Sequence, residues 1–187
     1  MKKLFNEPIV KFLTFGFFLY LGWLAVYEWW IHPMEWVDKI VINNTLVISQ
    51  KFLGWMGYEA SLGGDRMIQV KGTPGLFLGD SCNGISLFAL FSIFVIAFPG
   101  KIIYKIFFIP IGIGVIHLLN VLRIVALSVI ETYSYEWTEF NHTYTFTILI
   151  YAVIFGMWLL WINKFSGLSA KMDGLRLSAE KKKSVPD

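Results

Sequence analysis

The feature that most limits what this chain can become is the run from 102 to 130. There Lys105 and Arg123 are the only charges among Ile, Leu, Val and Phe. A bilayer's hydrocarbon core is spanned by roughly 20 such residues. Three further runs share the pattern, at 9–31, 85–98 and 144–162. The first carries Lys11 near its start, where a lysine can snorkel to the surface, and Glu28 near its end. Of the 187 residues 56% are hydrophobic and 16% charged, and the excess is gathered into these runs. Soluble domains run nearer a quarter charged. The expected fold is an all-α integral membrane bundle of about four transmembrane helices, plus an outer amphipathic helix and a small β-hairpin.

The segments between the runs supply the two extras. In 35–52, Val37, Ile40, Val41, Val47 and Ile48 recur at helical spacing, with Asp38, Lys39, Asn43, Gln50 and Lys51 between them. This predicts an amphipathic helix lying on the membrane surface or covering the core. The stretch 54–79 holds seven glycines. Within it Met67, Ile68 and Val70 precede Gly72-Thr73-Pro74-Gly75, and Leu76, Phe77 and Leu78 follow, which predicts a hairpin. The first run is too long for a signal-peptide core and no A-x-A pattern follows it, so it reads as a retained anchor. Trp29, Trp30 and Trp36 suit an interfacial belt at its far end. Residues 1–163 form one membrane-embedded domain, and 164–187 a cytoplasmic basic tail containing Lys181-Lys182-Lys183.

Charge orients the bundle. With the N-terminus inside, the inner segments 1–11, 99–105 and 163–187 hold eleven of the sixteen basic residues. The outer loop 131–141 has three glutamates and no lysine or arginine. This is the positive-inside pattern, with both ends in the cytoplasm. It places Cys82 at the outer mouth of the second span, Arg123 in the outer half of the third and His142 at the outer start of the fourth.

That agreement gives the three residues a joint meaning. Cys82, the single cysteine, follows a glycine-containing turn and is expected to begin a helix capped by Asp80 or Ser81, where the helix dipole favours a thiolate. Arg123 lies within a span, where a charge is costly and therefore a functional candidate; its role would be to stabilise an oxyanion or the thiolate. Asn120 shares its helix face. His142 is a candidate general acid/base. Each has a blander reading: a packing cysteine, an arginine that snorkels or pairs with Glu131 or Glu28, and an interfacial histidine. His117 reads as a packing residue and His32 as interfacial. Three scattered histidines and one cysteine give no metal site, and no cofactor motif is present.

Cys82-Asn83-Gly84 at the start of a span, Asn120-x-x-Arg123 in the next and His142 at the start of the last resemble the exosortase/archaeosortase family, over roughly 80–162. The resemblance implies a membrane-embedded cysteine protease or transpeptidase. It would process the C-terminal sorting signal of exported proteins, with Cys82, Arg123 and His142 catalytic and Asn120, Asn83 and Gly84 supporting. Many members have serine or alanine where this chain has Asn83, and many have about eight spans, so this is a compact member. The implied location is the bacterial inner membrane, multi-pass, with the site on the extracytoplasmic face. The implied partners are tailed exported proteins and membrane lipid, with no nucleic acid and no cofactor. A non-enzymatic membrane assembly protein or a transport subunit is the alternative, with Arg123 paired structurally and Cys82 packed.

The orientation is checked with a reporter fused after Asp187. It is expected to read as cytoplasmic, and an external signal would reverse the assignment.

Overall fold

The computed structural model describes residues 8–166. The basic tail expected beyond them, including Lys181–Lys183, lies outside the described residues. The first run forms α1 (Pro8–Val26), continues through a π-helical turn (Tyr27–Ile31) and ends in α2 (His32–Met34). After α3 (Trp36–Trp55) come three short strands, β1 (Ala60–Gly63), β2 (Met67–Val70) and β3 (Leu76–Phe77). A 3-10 turn (Asp80–Cys82) leads to α4 (Ile85–Ala97), then α5 (Ile102–Glu131). The last helix is composite: α6 (Tyr135–Phe140), a π turn (Asn141–Thr145), α7 (Phe146–Leu160) and a second π turn (Trp161–Phe165).

Among the described residues three helices are long and apolar enough to cross a membrane, Val10–Met34, Ile102–Glu131 and Glu136–Phe165. The fourth apolar helix, α4, has 13 residues. At the standard rise that is about 20 Å, short of the roughly 30 Å of hydrocarbon. Phe15, Phe17, Phe18, Phe107, Ile111 and Phe155 are all exposed on the long helices. An apolar surface of this extent is stable only against lipid or a partner. The expected all-helical membrane bundle is therefore what forms.

Helix α5 organises everything else. Its 30 residues extend about 45 Å, half as long again as the hydrocarbon is thick. It is accordingly buried in two different cores. Its first half contributes Ile116 to an aromatic-rich core with Phe91 and Val95 of α4, Ile150 and Ile154 of α7, and Trp161. Its second half contributes Val121, Ile124 and Val125 to a core with Ile42, Leu46 and Leu53 of α3, Ile68 and Val70 of β2, and Leu78. In the first core Phe94 stacks on Trp158 with centroids 4.3 Å apart, and Phe12 of α1 meets Phe98 edge-on at 5.1 Å. These aromatic contacts supply the packing that α4 lacks in length.

The amphipathic helix covers the core instead of lying flat beside it. His117 pairs with Asn44 at 2.8 Å, and the Ser49 hydroxyl donates toward the Val121 carbonyl at 3.4 Å. Residue numbers thus rise together along α3 and α5, so the two helices run side by side in the same direction. The hairpin expected around 72–75 is present, with Met67 opposite Phe77 and Ile68 opposite Leu76. An additional strand, β1, pairs antiparallel with β2, placing Ala60 opposite Val70 and Gly63 opposite Met67. The sheet order is β1-β2-β3, and β2 turns Ile68 and Val70 into the core while Gln69 faces out. The acidic segment 131–141 is not an extended loop: from Tyr135 it is already helical, so His142 lies within the last helix.

Helices α4 and α5 approach closely at Gly112, where a Cβ would come within 2.2 Å of two carbons of the Phe91 ring, itself fully buried. Gly112→Ala gains helix propensity of about 1 kcal/mol but overpacks this contact by about 1–3 kcal/mol. A lowered thermal midpoint in detergent is expected, with partial recovery when Phe91→Leu shortens the ring in the same chain. An unchanged or raised midpoint for Gly112→Ala alone would mean that the close approach does not exist.

Candidate active site

The site lies at the seam between the two cores. Cys82 comes from the turn before α4, Arg123 from α5 just beyond the level where the packing changes, and His142 from the π turn in the last helix. The Cys82 Sγ is 3.3 Å from His142 Nε2, and Arg123 Nη2 points at the same sulfur from 3.9 Å. Depending on its tautomer, His142 Nε2 either accepts the thiol proton or donates to a thiolate. Together with Thr143, Thr147 and Tyr151 these residues line an open cavity of about 320 Å³.

Two asparagines fix the cysteine backbone. Asn120 Nδ2 donates to the Cys82 carbonyl at 3.0 Å, three residues and almost one helical turn before Arg123. One face of α5 therefore holds both ends of the Cys82 residue, its carbonyl through Asn120 and its thiol through Arg123. Asn83 Oδ1 accepts from the Ile85 backbone N–H at 2.8 Å, satisfying one of the amides left open at the start of α4. Its Nδ2 donates to Asp38 Oδ1. Asn83 is 2% exposed, so these bonds are made out of water.

The local geometry corrects one expectation. Cys82 does not begin the helix and Asp80 does not cap it; the Ser81 side chain lies outside what the structure describes. Cys82 closes a 3-10 turn, and α4 starts only after Gly84, whose φ of 84° breaks the helical path. A residue with a Cβ is strained in that conformation, which explains the glycine. The cap falls to Asn83. Asp80 instead pairs with Arg66, from the turn between β1 and β2, and lies 3.6 Å from His32 at the end of the first helix. The Asp80 hydrogen bond raises the Arg66 pKa. That pairing clips the sheet to the turn two residues before Cys82.

Arg123 is 8% exposed, and among the described residues no carboxylate lies within ion-pair distance of it. Pairing with Glu131 or Glu28 is thus absent among the described residues; both Glu131 carboxylate oxygens are buried without a hydrogen-bond partner. Arg123 Nε and Asn120 Oδ1 are likewise buried and unpartnered. Buried polar atoms are seldom left so, and here two of them adjoin the cysteine. Arg123 also borders a second cavity, of about 510 Å³, lined by apolar residues such as Leu122, Val129, Phe146 and Leu149. His117 sits apart from this group, paired with Asn44 and edge-on to Phe88. Among the described residues no cluster of histidine, cysteine or carboxylates could hold a metal ion.

Sequence reasoning missed Asp38 and Tyr27. Asp38 is 1% exposed and accepts from the Tyr27 hydroxyl at 2.9 Å as well as from Asn83. The available signal was register: Asp38 precedes the buried Ile42, Thr45, Ser49 and Leu53 at helical intervals, placing it on the inward face of α3.

A thiol, a guanidinium and an imidazole, from three segments of an apolar helical bundle, thus converge on one cavity. The model of the transmembrane exosortase family (Exosortase_EpsH) matches residues 4–163, and the chain belongs to that family. No curated protein and no solved structure matches it.

Proposed function

We propose that this protein is a membrane-embedded cysteine protease or transpeptidase that processes the C-terminal sorting signal of exported proteins, at the extracytoplasmic face of a bacterial inner membrane. The observation that carries the reading is the single sulfur contacted by both His142 and Arg123, at 3.3 and 3.9 Å, within an open cavity. Membership of the transmembrane exosortase family supports it. The orientation rests on the positive-inside charge distribution.

In the proposed reaction His142 takes the Cys82 proton, and the thiolate attacks the carbonyl carbon of the scissile peptide. The developing oxyanion lies against the Arg123 guanidinium, which lines the same cavity as Cys82 and His142. As the C–N bond breaks, His142 gives its proton to the leaving amine, and the substrate remains as a thioester on Cys82. A second nucleophile then attacks the thioester carbonyl, His142 takes its proton, and the thiol is regenerated. Water as that nucleophile makes the enzyme a protease. An amine or hydroxyl of a surface anchor makes it a transpeptidase. Asn120 and Asn83 orient the Cys82 backbone through both steps.

Cys82→Ala, Arg123→Ala and His142→Ala are each expected to abolish processing of a tailed exported protein while the variant still accumulates in the membrane. Members of such a unit are strongly non-additive, so combining His142→Ala with Arg123→Ala should add little to either alone. Asn120→Ala should be milder. The measurement is substrate size in cells, with variant abundance from the same samples. Normal cleavage by Cys82→Ala would rule out the cysteine mechanism.

A further inference from the structure

Building on the cysteine mechanism above, we infer that Asp38 is a positioning residue for the cysteine: its buried carboxylate, held by Tyr27, fixes Asn83 and thereby sets Cys82 against His142 and Arg123.

The chain of contacts is continuous. Tyr27, at the far end of the first span, donates to Asp38 Oδ1 at 2.9 Å. Asn83 Nδ2 donates to the same oxygen. The opposite end of the Asn83 amide accepts from Ile85 N–H at 2.8 Å. With its amide held at both ends Asn83 has a single orientation, and Cys82 is the residue bonded to it. From the other side Asn120 holds the Cys82 carbonyl. The short turn carrying the thiol is thus pinned between α3 and α5, and α3 is in turn tied to the first span.

Packing does not account for this arrangement. Asp38 is 1% exposed, and its second oxygen, Oδ2, has no hydrogen-bond partner. Burying a carboxylate with one oxygen unsatisfied is costly, and an apolar residue on the same face of α3 would avoid that cost. What an apolar residue could not do is orient an asparagine amide. The remaining charged groups nearby are engaged elsewhere: Asp80 with Arg66 and His32, and Lys39 with Glu35 at 2.9 Å. A displacement of about 1 Å at a reacting group costs on the order of a hundredfold in rate, so a brace of this kind has a measurable consequence.

Because Cys82 is the single cysteine, its alkylation by iodoacetamide in the purified, detergent-solubilised protein reads the thiol directly. The rate is measured from neutral to strongly alkaline pH. Contact with His142 and Arg123 favours the thiolate, so loss of positioning lowers the rate at neutral pH while leaving the alkaline plateau, which reports access, unchanged. Asp38→Leu is expected to slow alkylation at pH 7 by roughly tenfold with a plateau within about twofold of the parent. Asp38→Asn, which keeps the acceptor oxygen, should restore most of the loss. Asn83→Ala breaks the same link from the other end and should match Asp38→Leu, and the double variant should be no worse than the slower single one. Lys39→Ala, next to Asp38 but solvent-exposed, is the unaffected control. If Asp38→Leu fails to accumulate, Asn83→Ala alone decides. A parental rate at pH 7 in Asp38→Leu, or in Asn83→Ala, overturns the inference, as does a loss confined to the alkaline plateau. None of these outcomes depends on substrate, so they are distinguishable from failure of the cysteine mechanism itself, which shows as cleavage by Cys82→Ala.

Discussion

A guanidinium cannot be left in hydrocarbon without polar company, and the arrangement of this molecule follows from where Arg123 sits. Helix α5 is too long for the bilayer, and Arg123 lies where its packing changes from the aromatic core to the core made with α3 and the sheet. Without that cover, Val121, Ile124, Val125 and the charge beside them would face solvent or lipid. With it, the guanidinium is buried among a thiol, an imidazole and an asparagine. The covering elements therefore leave the guanidinium buried beside polar partners, where electrostatic contacts are stronger than in water.

The same seam dictates how the cysteine is delivered. A cysteine inside a regular helix would keep its backbone groups in the helical ladder and offer little for neighbours to hold. Here the chain leaves a 3-10 turn at Cys82, reverses through Gly84 and only then enters α4. The irregular turn exposes the Cys82 carbonyl to Asn120 and the Asn83 amide to Asp38. The price of the irregularity is a set of backbone groups that helix or sheet would have satisfied, and asparagine side chains satisfy them instead. The π turn at Asn141–Thr145 is the counterpart on the last helix; such turns interrupt regular helices and recur at functional sites. It is the turn that presents His142 to the sulfur.

How much of this was legible in the chain depends on which force set each element. The long apolar runs, the amphipathic helix and the hairpin at 67–78 are written in hydropathy and in Gly-Thr-Pro-Gly, and they form as read. Strand β1 is Ala-Ser-Leu-Gly, with little intrinsic strand preference; pairing with β2 imposes its conformation, and no local signal carries that. The segment 131–141 reads as a loop because it joins two apolar runs, yet most of it is helix, with α5 ending at Glu131 and α6 starting at Tyr135. Asp38 looked like one of several polar residues on a surface helix. Its burial depends on Tyr27 and Asn83, which are distant in sequence and reach it only through tertiary packing. The grouping of Cys82, Arg123 and His142 at one end of the bundle was readable because span direction alone decides it. The distances among them were not, since they rest on the turn at 80–84 and on the π turn.

The central claim is that Cys82 carries the substrate as a covalent thioester held within this seam. The most direct measurement is mass spectrometry of the purified protein, acid-quenched during turnover with an exported protein whose tail is processed in cells. The account predicts a hydroxylamine-sensitive acyl adduct on the peptide containing Cys82, and none when Arg123→Ala or His142→Ala replaces the parent. Turnover of the tail with no adduct at Cys82, continuing after the thiol has been fully alkylated, would contradict it.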